Sequence, residues 1–353
     1  MNIRICKPTD QKDWDAYVLN HSDSTHCHLY GWKEIIEKTY GHKGNYLIAE
    51  QDSKILGIMP LIHLKSFLFG NHLVSMPFLN YGGILSDSRE IEGALMHVAL
   101  DLCASLKVSC LQLRHLNPIN GLHSENENTF IRNTHKVRML LKLPQSPEAL
   151  LKSFKSKLRS QIQRPQKEGM AAIIGGMELL EQFYRVFSIN MRDLGSPVHS
   201  RKLFQHLLSQ FDQEVRIGIV RYRDQVVSGG LIFCFRDTVE IPWASSLRQY
   251  NRLSPNMLLY WSLLKYACEQ RFRYFDFGRS TPGKGTYKFK EQWGAKPHPL
   301  IWYIAHFTGY SKDQNTYLDG ESPTMTRAVA LWQKLPLFVA NRIGPIIRSS
   351  ISL

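Results

Sequence analysis

One order of predicted secondary structure occurs twice along this 353-residue chain. In both copies a helix precedes two strands joined by a short turn, and a later helix leads into a short strand. The second copy begins about 170 residues after the first, which indicates two related halves. The predicted elements are helices 31–40 and 90–106 with strands 46–49, 55–59 and 110–113, then helices 201–211 and 255–271 with strands 215–220, 226–235, 238–245 and 274–277.

This order predicts an α/β (α+β) fold in which each mixed sheet is covered by helices on both sides. A chain of this length also favours two domains over one. We therefore expect tandem domains at residues 1–145 and 146–310, followed by a helical tail at 311–353. A chance likeness between two α/β halves is the alternative that the pattern leaves open.

The charge of the chain indicates an anionic partner. Lys and Arg total 44 against 30 Asp and Glu, which gives a formal net charge of +14. Suitable anions are tRNA, a nucleotide-linked or pyrophosphate-bearing substrate, coenzyme A, or the acidic inner face of a membrane. A basic surface without a specific partner is the alternative, because net charge says little about specificity.

The rest of the composition predicts a cytoplasmic protein. Six cysteines occur without CxxC pairs, which favours reduced core residues. The first seven residues lack the apolar region of a secretory signal. The most apolar stretch, 55–79, is interrupted by polar residues, prolines and a glycine, so no transmembrane span is predicted. The apolar and basic tail at 331–348 either docks on the protein body or makes a peripheral contact with the inner membrane.

Residues 151–164 predict a basic amphipathic helix. Its apolar face has helical spacing and consists of Leu151, Phe154, Leu158 and Ile162. The cations fall on the other faces, and Pro165 and Gly169 are expected to end the helix. We expect Arg159 in this segment to bind an anionic substrate. A solvated charged face is the alternative.

The first candidate site is the passage from a strand to a helix at 242–256. Ser254 is placed to cap the helix and Pro255 to be its first residue, so backbone N–H groups point out of this end. Such an end attracts phosphate, and nearby arginines add charge-assisted bonds. The expected substrate-binding residues are Trp243, Ser245, Arg248, Arg252, Ser254 and Asn256. An ordinary capped helix is the alternative.

The second candidate site is the segment 275–294. Here a strand with alternating aromatic residues runs into a loop rich in glycine, serine, threonine and proline, and α/β folds bind ligands at such strand ends. The cations of the segment can meet a carboxylate, a phosphate or a developing oxyanion. We expect Ser280 and Lys284 to contact substrate. Three residues of the segment are expected to be catalytic: Arg279 as a cation for the developing charge, Tyr287 as a proton shuttle and Asp276 to orient an attacking amine. A structural role is the alternative for Asp276 and Tyr287, and a solvated surface lysine for Lys284.

Acyl transfer to an amine needs few protein groups. The donor carbonyl must be held against the nucleophile, a donor or cation must meet the oxyanion, and the amine proton must be accepted. Competing chemistries lack their motifs, since the sequence has no G-x-S-x-G, H-E-x-x-H, G-x-x-x-x-G-K-[ST] or paired-cysteine zinc spacing. The trio His26-Cys27-His28 is too little for a metal site, and no metal is predicted.

Four segments resemble the FemAB-like branch of the GNAT acyltransferase superfamily, and most of all the FemAB-related proteins of exosortase (PEP-CTERM) exopolysaccharide systems. The segments are 157–162, 191–198, 243–258 and 275–283. The resemblance implies twin GNAT-like domains, 1–145 and 146–310. It also implies transfer of an amino acid from aminoacyl-tRNA to an amine of a peptidoglycan precursor.

The same resemblance implies a catalytic lysine. The Phe-Lys pair that precedes a glycine in FemAB-type enzymes is matched by Phe289-Lys290 and Gly294, so Lys290 is expected to stabilise the oxyanion. Arg279 and Lys290 are then expected to face a cavity where the carbonyl is held. In the wider superfamily a glycine-rich loop holds the pyrophosphate of coenzyme A, but residues 248–256 lack those glycines. The donor therefore stays open between acyl-CoA and aminoacyl-tRNA, with no tightly bound cofactor expected.

These expectations combine into one leading function and two alternatives. The leading function is an N-acyltransferase that acts on an amine of a cell-envelope or exopolysaccharide precursor. The first alternative is a non-catalytic GNAT-like module that binds an anionic glycan-lipid or a protein partner. The second is a nucleic-acid-binding protein, which rests on charge alone.

Overall fold

The computed structural model describes residues 1–66, 69–119, 130–307 and 323–352. Its strands, numbered along the chain, are β1 Asn2–Ile5, β2 Lys43–Gly44, β3 Leu47–Gln51, β4 Lys54–Met59, β5 Ile62–Ser66, β6 Gly70–Val74, β7 Leu85–Ser86, β8 Cys110–His115, β9 Phe130–Asn133, β10 Val137–Lys142, β11 Met170–Gly175, β12 Val215–Tyr222, β13 Gln225–Phe235, β14 Thr238–Ser246, β15 Tyr274–Ser280, β16 Lys296–Pro299 and β17 Ile301–His306.

The α-helices are α1 Gln11–Asn20, α2 Gly31–Tyr40, α3 Arg89–Leu106, α4 Pro147–Ser153, α5 Ser156–Lys167, α6 Leu180–Leu194, α7 Arg201–Gln210, α8 Pro255–Glu269, α9 Gly285–Glu291, α10 Pro323–Gln333 and α11 Leu337–Ser349. All eleven predicted strands and helices of the two copies are therefore present, with shifted ends. Among the residues that the structure describes, no helix is both long and apolar enough to cross a bilayer.

The chain forms two compact units. Unit 1 holds the described residues of Met1–Lys136, 299–307 and 349–352, and unit 2 holds Val137–His298 and 323–348. These ranges differ from the predicted domains in three respects. Strand β10 belongs to unit 2 although its residues fall within the predicted first domain, strand β17 belongs to unit 1, and most of the predicted tail belongs to unit 2.

Unit 1 contains two sheets. One has the strand order β1-β3-β4-β7, and the other has the order β2-β5-β6-β8-β17-β9, in which β6 and β8 are parallel. Helix α3 packs its apolar face on this unit's core, with Leu95, Met96 and Ala99 almost fully buried. Ser88 caps α3 by accepting the N–H of Ile91.

Unit 2 contains one seven-stranded mixed sheet, with the order β11-β12-β13-β14-β15-β10-β16. Two neighbouring glycines of β13 show how closely helices pack on its two faces. A Cβ at Gly229 would lie 3.2 Å from Phe183 of α6, and a Cβ at Gly230 would lie 3.4 Å from Leu259 of α8. Because successive residues of a strand point to opposite faces, α6 and α8 cover opposite sides of the sheet. The predicted α/β class with helices on both sides is confirmed.

The predicted continuous helix over 151–164 is wrong. The structure has two helices, α4 and α5, separated by Phe154 and Lys155 in extended conformation. Phe154 turns into the core, where its ring meets Trp293 edge-on at 5.5 Å. Arg159 Nη1 donates to the Phe154 carbonyl at 2.8 Å, which satisfies backbone that the helix break leaves unpaired. Pro165 lies inside α5 and does not end it.

The predicted cap of the next helix is also wrong. Ser254 adopts the left-handed conformation (φ 57°, ψ 44°), and its side chain caps nothing at the start of α8. A 3₁₀ helix, Arg248–Leu253, fills the passage from β14, and Ser254 follows it in a left-handed conformation, whereas a capping serine is typically extended. Pro255 is the first residue of α8, as predicted.

Candidate functional site

Strands β14 and β15 start side by side and then separate. They pair in parallel only over Thr238–Glu240 and Tyr274–Asp276. Directly afterwards each strand carries a bulge against its other neighbour: residues 241–242 lie opposite one residue of β13, and residues 277–278 lie opposite one residue of β10. A bulge bends its strand and increases the local twist. We call the resulting gap between residues 241–246 and 277–280 the strand opening.

The bulge in β15 is held from two sides at Gly278. This residue has a left-handed φ of 72°, which favours glycine. The buried carboxylate of Asp276 accepts the Gly278 N–H at 2.7 Å, and Lys290 Nζ donates to the Gly278 carbonyl at 3.2 Å. Asp276 is in turn paired with Arg138 Nε at 2.5 Å. Burial and these bonds make Asp276 a structural residue of the bulge.

The edge of β14 that faces the strand opening has backbone groups available for a ligand. Leu247 N donates to Val227 of β13, and Ser245 is opposite Gly229 in the same ladder. Backbone groups of an antiparallel strand alternate in direction, so those of Ala244 and Ser246 point toward the opening. An extended chain that carries amides can pair with such an edge.

A cavity of about 290 Å³ lies at the strand opening. Its walls come from β14, the 3₁₀ helix, α6, α8 and α9. The lining residues are Asn190, Leu194, Ala244, Ser245, Ser246, Arg248, Asn251, Asn256, Leu259, Tyr260 and Phe289. Since α6 and α8 lie on opposite faces of the sheet, the cavity receives side chains from both faces.

Two contacts organise this cavity. Asn190 Nδ2 of α6 donates to Ser245 Oγ at 3.0 Å, which fixes the serine hydroxyl at the strand edge. Tyr260 of α8 stacks on Phe277 and meets Phe289 edge-on at 4.9 Å. Burial raises the pKa of the Tyr260 phenol well above its usual range, so the group is a hydroxyl at neutral pH. The described lining residues include no carboxylate and no imidazole.

The structure brings three of the nine predicted substrate-binding residues to this cavity: Ser245, Arg248 and Asn256. Trp243 is instead buried against Phe204 and His199. Arg159 donates to the carbonyls of Lys152, in the last turn of α4, and Phe154, between α4 and α5. Outside the lining lie Arg252, Ser254, Ser280 and Lys284. Of these, Ser280 is 4% exposed and its Oγ has no hydrogen-bond partner in the described residues.

None of the four predicted catalytic residues lines this cavity. Lys290 Nζ donates to the carbonyls of Gly278 and Arg279, where burial lowers its pKa to about 8. Burial also lowers the pKa of Arg279 to about 10. Tyr287 packs against the core of unit 2, and the Asp276 carboxylate accepts the Gly278 N–H within the bulge of β15. The catalytic roles of Lys290, Arg279, Tyr287 and Asp276 stay predictions.

Asn190, Tyr260 and Phe289 are residues that sequence reasoning missed. Asn190 lies in an amphipathic helix and belongs to no catalytic motif, and both aromatic residues have the spacing of core positions. Their role emerges only where two strands diverge. The sequence offered one usable signal, because Asn190 directly precedes the segment 191–198 that carries the family resemblance.

A second depression of unit 2, about 880 Å³, has an apolar floor and a basic rim. Leu150, Phe154, Leu158 and Trp293 form part of the floor. The rim carries four lysines and one glutamate, namely Lys142, Lys155, Lys157, Lys288 and Glu291. The break between α4 and α5 contributes Phe154 and Lys155, so the segment predicted as a basic helix partly surrounds this depression.

Comparison with known proteins places this site inside a recognisable domain. The family described as "Acetyltransferase (GNAT) domain" matches residues 152–291, which include β14, β15 and every residue that lines the cavity. No curated protein matches the chain.

Solved structures share the fold across both units. A crystal structure of FemX has a TM-score of 0.67 at 16% identity and covers 91% of this chain and 100% of its own. A tandem GNAT protein from the clavulanic acid biosynthesis pathway has a TM-score of 0.54 at 9% identity, covering 88% and 99%. The L-PGS structure from Bacillus licheniformis has a TM-score of 0.53 at 11% identity, covering 94% and 99%. At these identities the likeness shows the fold alone, which is that of tandem GNAT-fold proteins.

Proposed function

We propose that this protein is an N-acyltransferase that transfers an acyl or aminoacyl group to an amine of a cell-envelope or exopolysaccharide precursor. One observation carries the proposal. Ser245, Arg248 and Asn256, selected from sequence as substrate-binding residues, line one cavity at the strand opening, inside the segment matched by the acetyltransferase family. The envelope or exopolysaccharide acceptor is supported by the sequence resemblance alone.

The donor lies with its carbonyl in the strand opening. Ala244 and Ser246 offer backbone N–H and C=O groups to an amide-bearing arm such as that of coenzyme A. Arg248 and the start of α8 supply positive charge for phosphate groups at the outer end of the cavity. A volume of about 290 Å³ holds the transferred acyl group and its neighbouring atoms but not a whole donor. Acyl-CoA and aminoacyl-tRNA therefore both remain donors within this proposal.

The groups that line the cavity determine how acyl transfer proceeds in this proposal. The acceptor amine attacks the donor carbonyl, and the tetrahedral intermediate then expels the thiolate of coenzyme A or the ribose oxygen of tRNA. The amine proton leaves to that group or to water, because the lining residues that the structure describes include no carboxylate or imidazole to take it. Ser245 and Tyr260 hydroxyls and the Asn190 amide are the hydrogen-bond donors nearest to the developing oxyanion.

We assign Asp276 and Lys290 to positioning. They fix the bulge at Gly278 and thereby keep β15 away from β14. The prediction that Lys290 also meets the oxyanion requires its third ammonium hydrogen, because two are directed at carbonyls. Arg279 and Tyr287 keep their predicted roles within this proposal, as a cation for the developing charge and as a proton shuttle.

A non-catalytic module is the second candidate, and the basic depression of unit 2 favours it. Four lysines around an apolar floor suit an anionic glycan-lipid, and such a role would place the protein at the inner membrane surface. Binding of tRNA would use the same charges.

The two candidates separate in a direct assay. Purified protein is mixed with acetyl-CoA or with charged tRNA, and both the melting temperature and the acylation of an amino-sugar acceptor are followed. A transferase raises its melting temperature with one donor and forms product. Product with acetyl-CoA alone would reject the aminoacyl-tRNA donor. A binding module forms no product with either donor, even where tRNA raises its melting temperature, and that result would end the transferase proposal.

A further inference from the structure

Unit 1 repeats the position of the cavity found in unit 2. There, β6 and β8 pair in parallel over His72–Val74 and Cys110–Gln112, as β14 and β15 do in unit 2. Past this pairing, β7 leads directly into the capped start of α3. A cavity of about 250 Å³ lies between this strand-to-helix passage and the end of β8. The predicted function uses none of its residues.

Two buried imidazoles line this cavity. His28 and His115 are 4% and 5% exposed. His28 Nδ1 accepts the N–H of Thr25 at 3.0 Å, so its proton is on Nε2, which is a donor. His115 Nε2 has no hydrogen-bond partner in the described residues. Burial lowers the pKa of each ring to about 3, and both are neutral at physiological pH.

The charges around the cavity argue against a phosphate. Arg89 is one cation, whereas Asp23 and Glu92 are two carboxylates in the same lining. His21 Nδ1 accepts the N–H of Asp23 at 3.2 Å. The lining therefore carries a net charge of about −1 in a chain whose formal charge is +14. The positive end of the α3 dipole would otherwise attract an anion, but the negative charges of Asp23 and Glu92 offset it.

We propose that this cavity of unit 1 binds one sugar ring that is neutral or carries an amino group. Hydroxyl groups both donate and accept, so they match a lining that mixes neutral imidazoles, carboxylates, the Arg89 guanidinium and the Asn117 amide. The volume suits a single ring and not an oligosaccharide. The site does not depend on acyl transfer, since it lies within unit 1 and the strand opening lies within unit 2.

The test is calorimetric titration of the full chain with three probes: glucosamine, N-acetylglucosamine and glucosamine 6-phosphate. We expect the first two to bind and the phosphate to bind at least tenfold more weakly. His115→Phe fills the site, and Asn117→Ala removes an exposed amide from its rim without touching the core. Either change should weaken glucosamine at least tenfold. His97→Phe is the matched control, because this histidine of α3 is 74% exposed and lies outside the lining, and it should bind as the wild type does.

Several results would overturn the proposal. They are no binding of either sugar to the wild type, tightest binding of the phosphate, or unchanged affinity in both Asn117→Ala and a folded His115→Phe. Binding of a free amino acid in place of the sugars would also overturn it. Acetyl-CoA binding measured on the same variants keeps the two sites distinct, since it should not change.

Discussion

The ammonium nitrogen of Lys290 lies 2.8 Å from the carbonyl oxygen of Arg279 and 3.2 Å from that of Gly278. A buried lysine that was expected to face a substrate thus holds the end of a strand. The strand opening exists only while this end of β15 stays apart from β14. Loss of the Lys290 ammonium should therefore lower the stability of the protein, and any loss of acyl transfer should follow from that.

Lys290→Met should lower the free energy of unfolding by about 1–3 kcal/mol, because two buried carbonyls lose a donor. Lys288→Met changes an exposed lysine of the same helix and should leave stability within about 0.5 kcal/mol of the wild type. Urea denaturation of the three proteins measures this. A variant at position 290 that is as stable as the wild type yet loses turnover would instead support the oxyanion role.

Arg159→Ala should destabilise the protein by about 0.5–1.5 kcal/mol and leave donor affinity unchanged, since Arg159 bonds to the Phe154 carbonyl and lies outside both cavities of unit 2. Arg164→Ala, on the same helix, is the control for loss of positive charge alone. A fall in tRNA or acyl-CoA affinity with position 159 only would restore its predicted substrate role.

Asn190→Ala should reduce acyl-transfer rate about tenfold, because the Ser245 hydroxyl at the cavity wall loses its 3.0 Å partner. Gln205→Ala, an exposed change on α7, should have no effect on rate. Steady-state kinetics with a fixed acceptor and varied donor measures both. Equal rates for Asn190→Ala and the wild type would mean that the positioned Ser245 hydroxyl plays no part in the reaction.

Stability should fall as the pH drops from about 6.5 toward 3. The pKa of His28 and that of His115 are both lowered by burial to about 3, so the unfolded chain binds protons in this window that the folded chain does not. Each ring then contributes a slope on the order of 1 kcal/mol per pH unit. Denaturation at pH 7 and 5 should show a smaller difference for His115→Phe than for His97→Phe. Equal differences would mean that His115 is already protonated in the fold.

The sequence predicted the fold well because hydrophobic periodicity is local. Every strand and helix of the two predicted copies is present, since alternating or helical apolar spacing decides each within its own segment. The fold class followed from their order. The break at Phe154 and Lys155 was missed because a ring that turns into the core and an arginine five residues later outweigh helical spacing.

The site was predictable only in part, for a physical reason. Ser245, Arg248 and Asn256 were found because they lie at a strand-to-helix passage, a position with a general role in ligand binding. The bulges of β14 and β15 then determine which side chains face the cavity. A bulge depends on the pairing of strands that are distant in sequence, so it has no local sequence signal. Asn190 and Tyr260 reach the same space from opposite faces of the sheet, which no local pattern encodes.

The acyl donor is expected to occupy the strand opening. A crystal structure of the protein soaked with acetyl-CoA, and in parallel with a stable aminoacyl-RNA analogue, tests this expectation most directly. We predict donor density between β14 and β15, with the carbonyl carbon beside Ser245 and the arm along Ala244 and Ser246. A donor bound elsewhere, with the cavity of Asn190, Tyr260 and Phe289 left empty, would contradict the account.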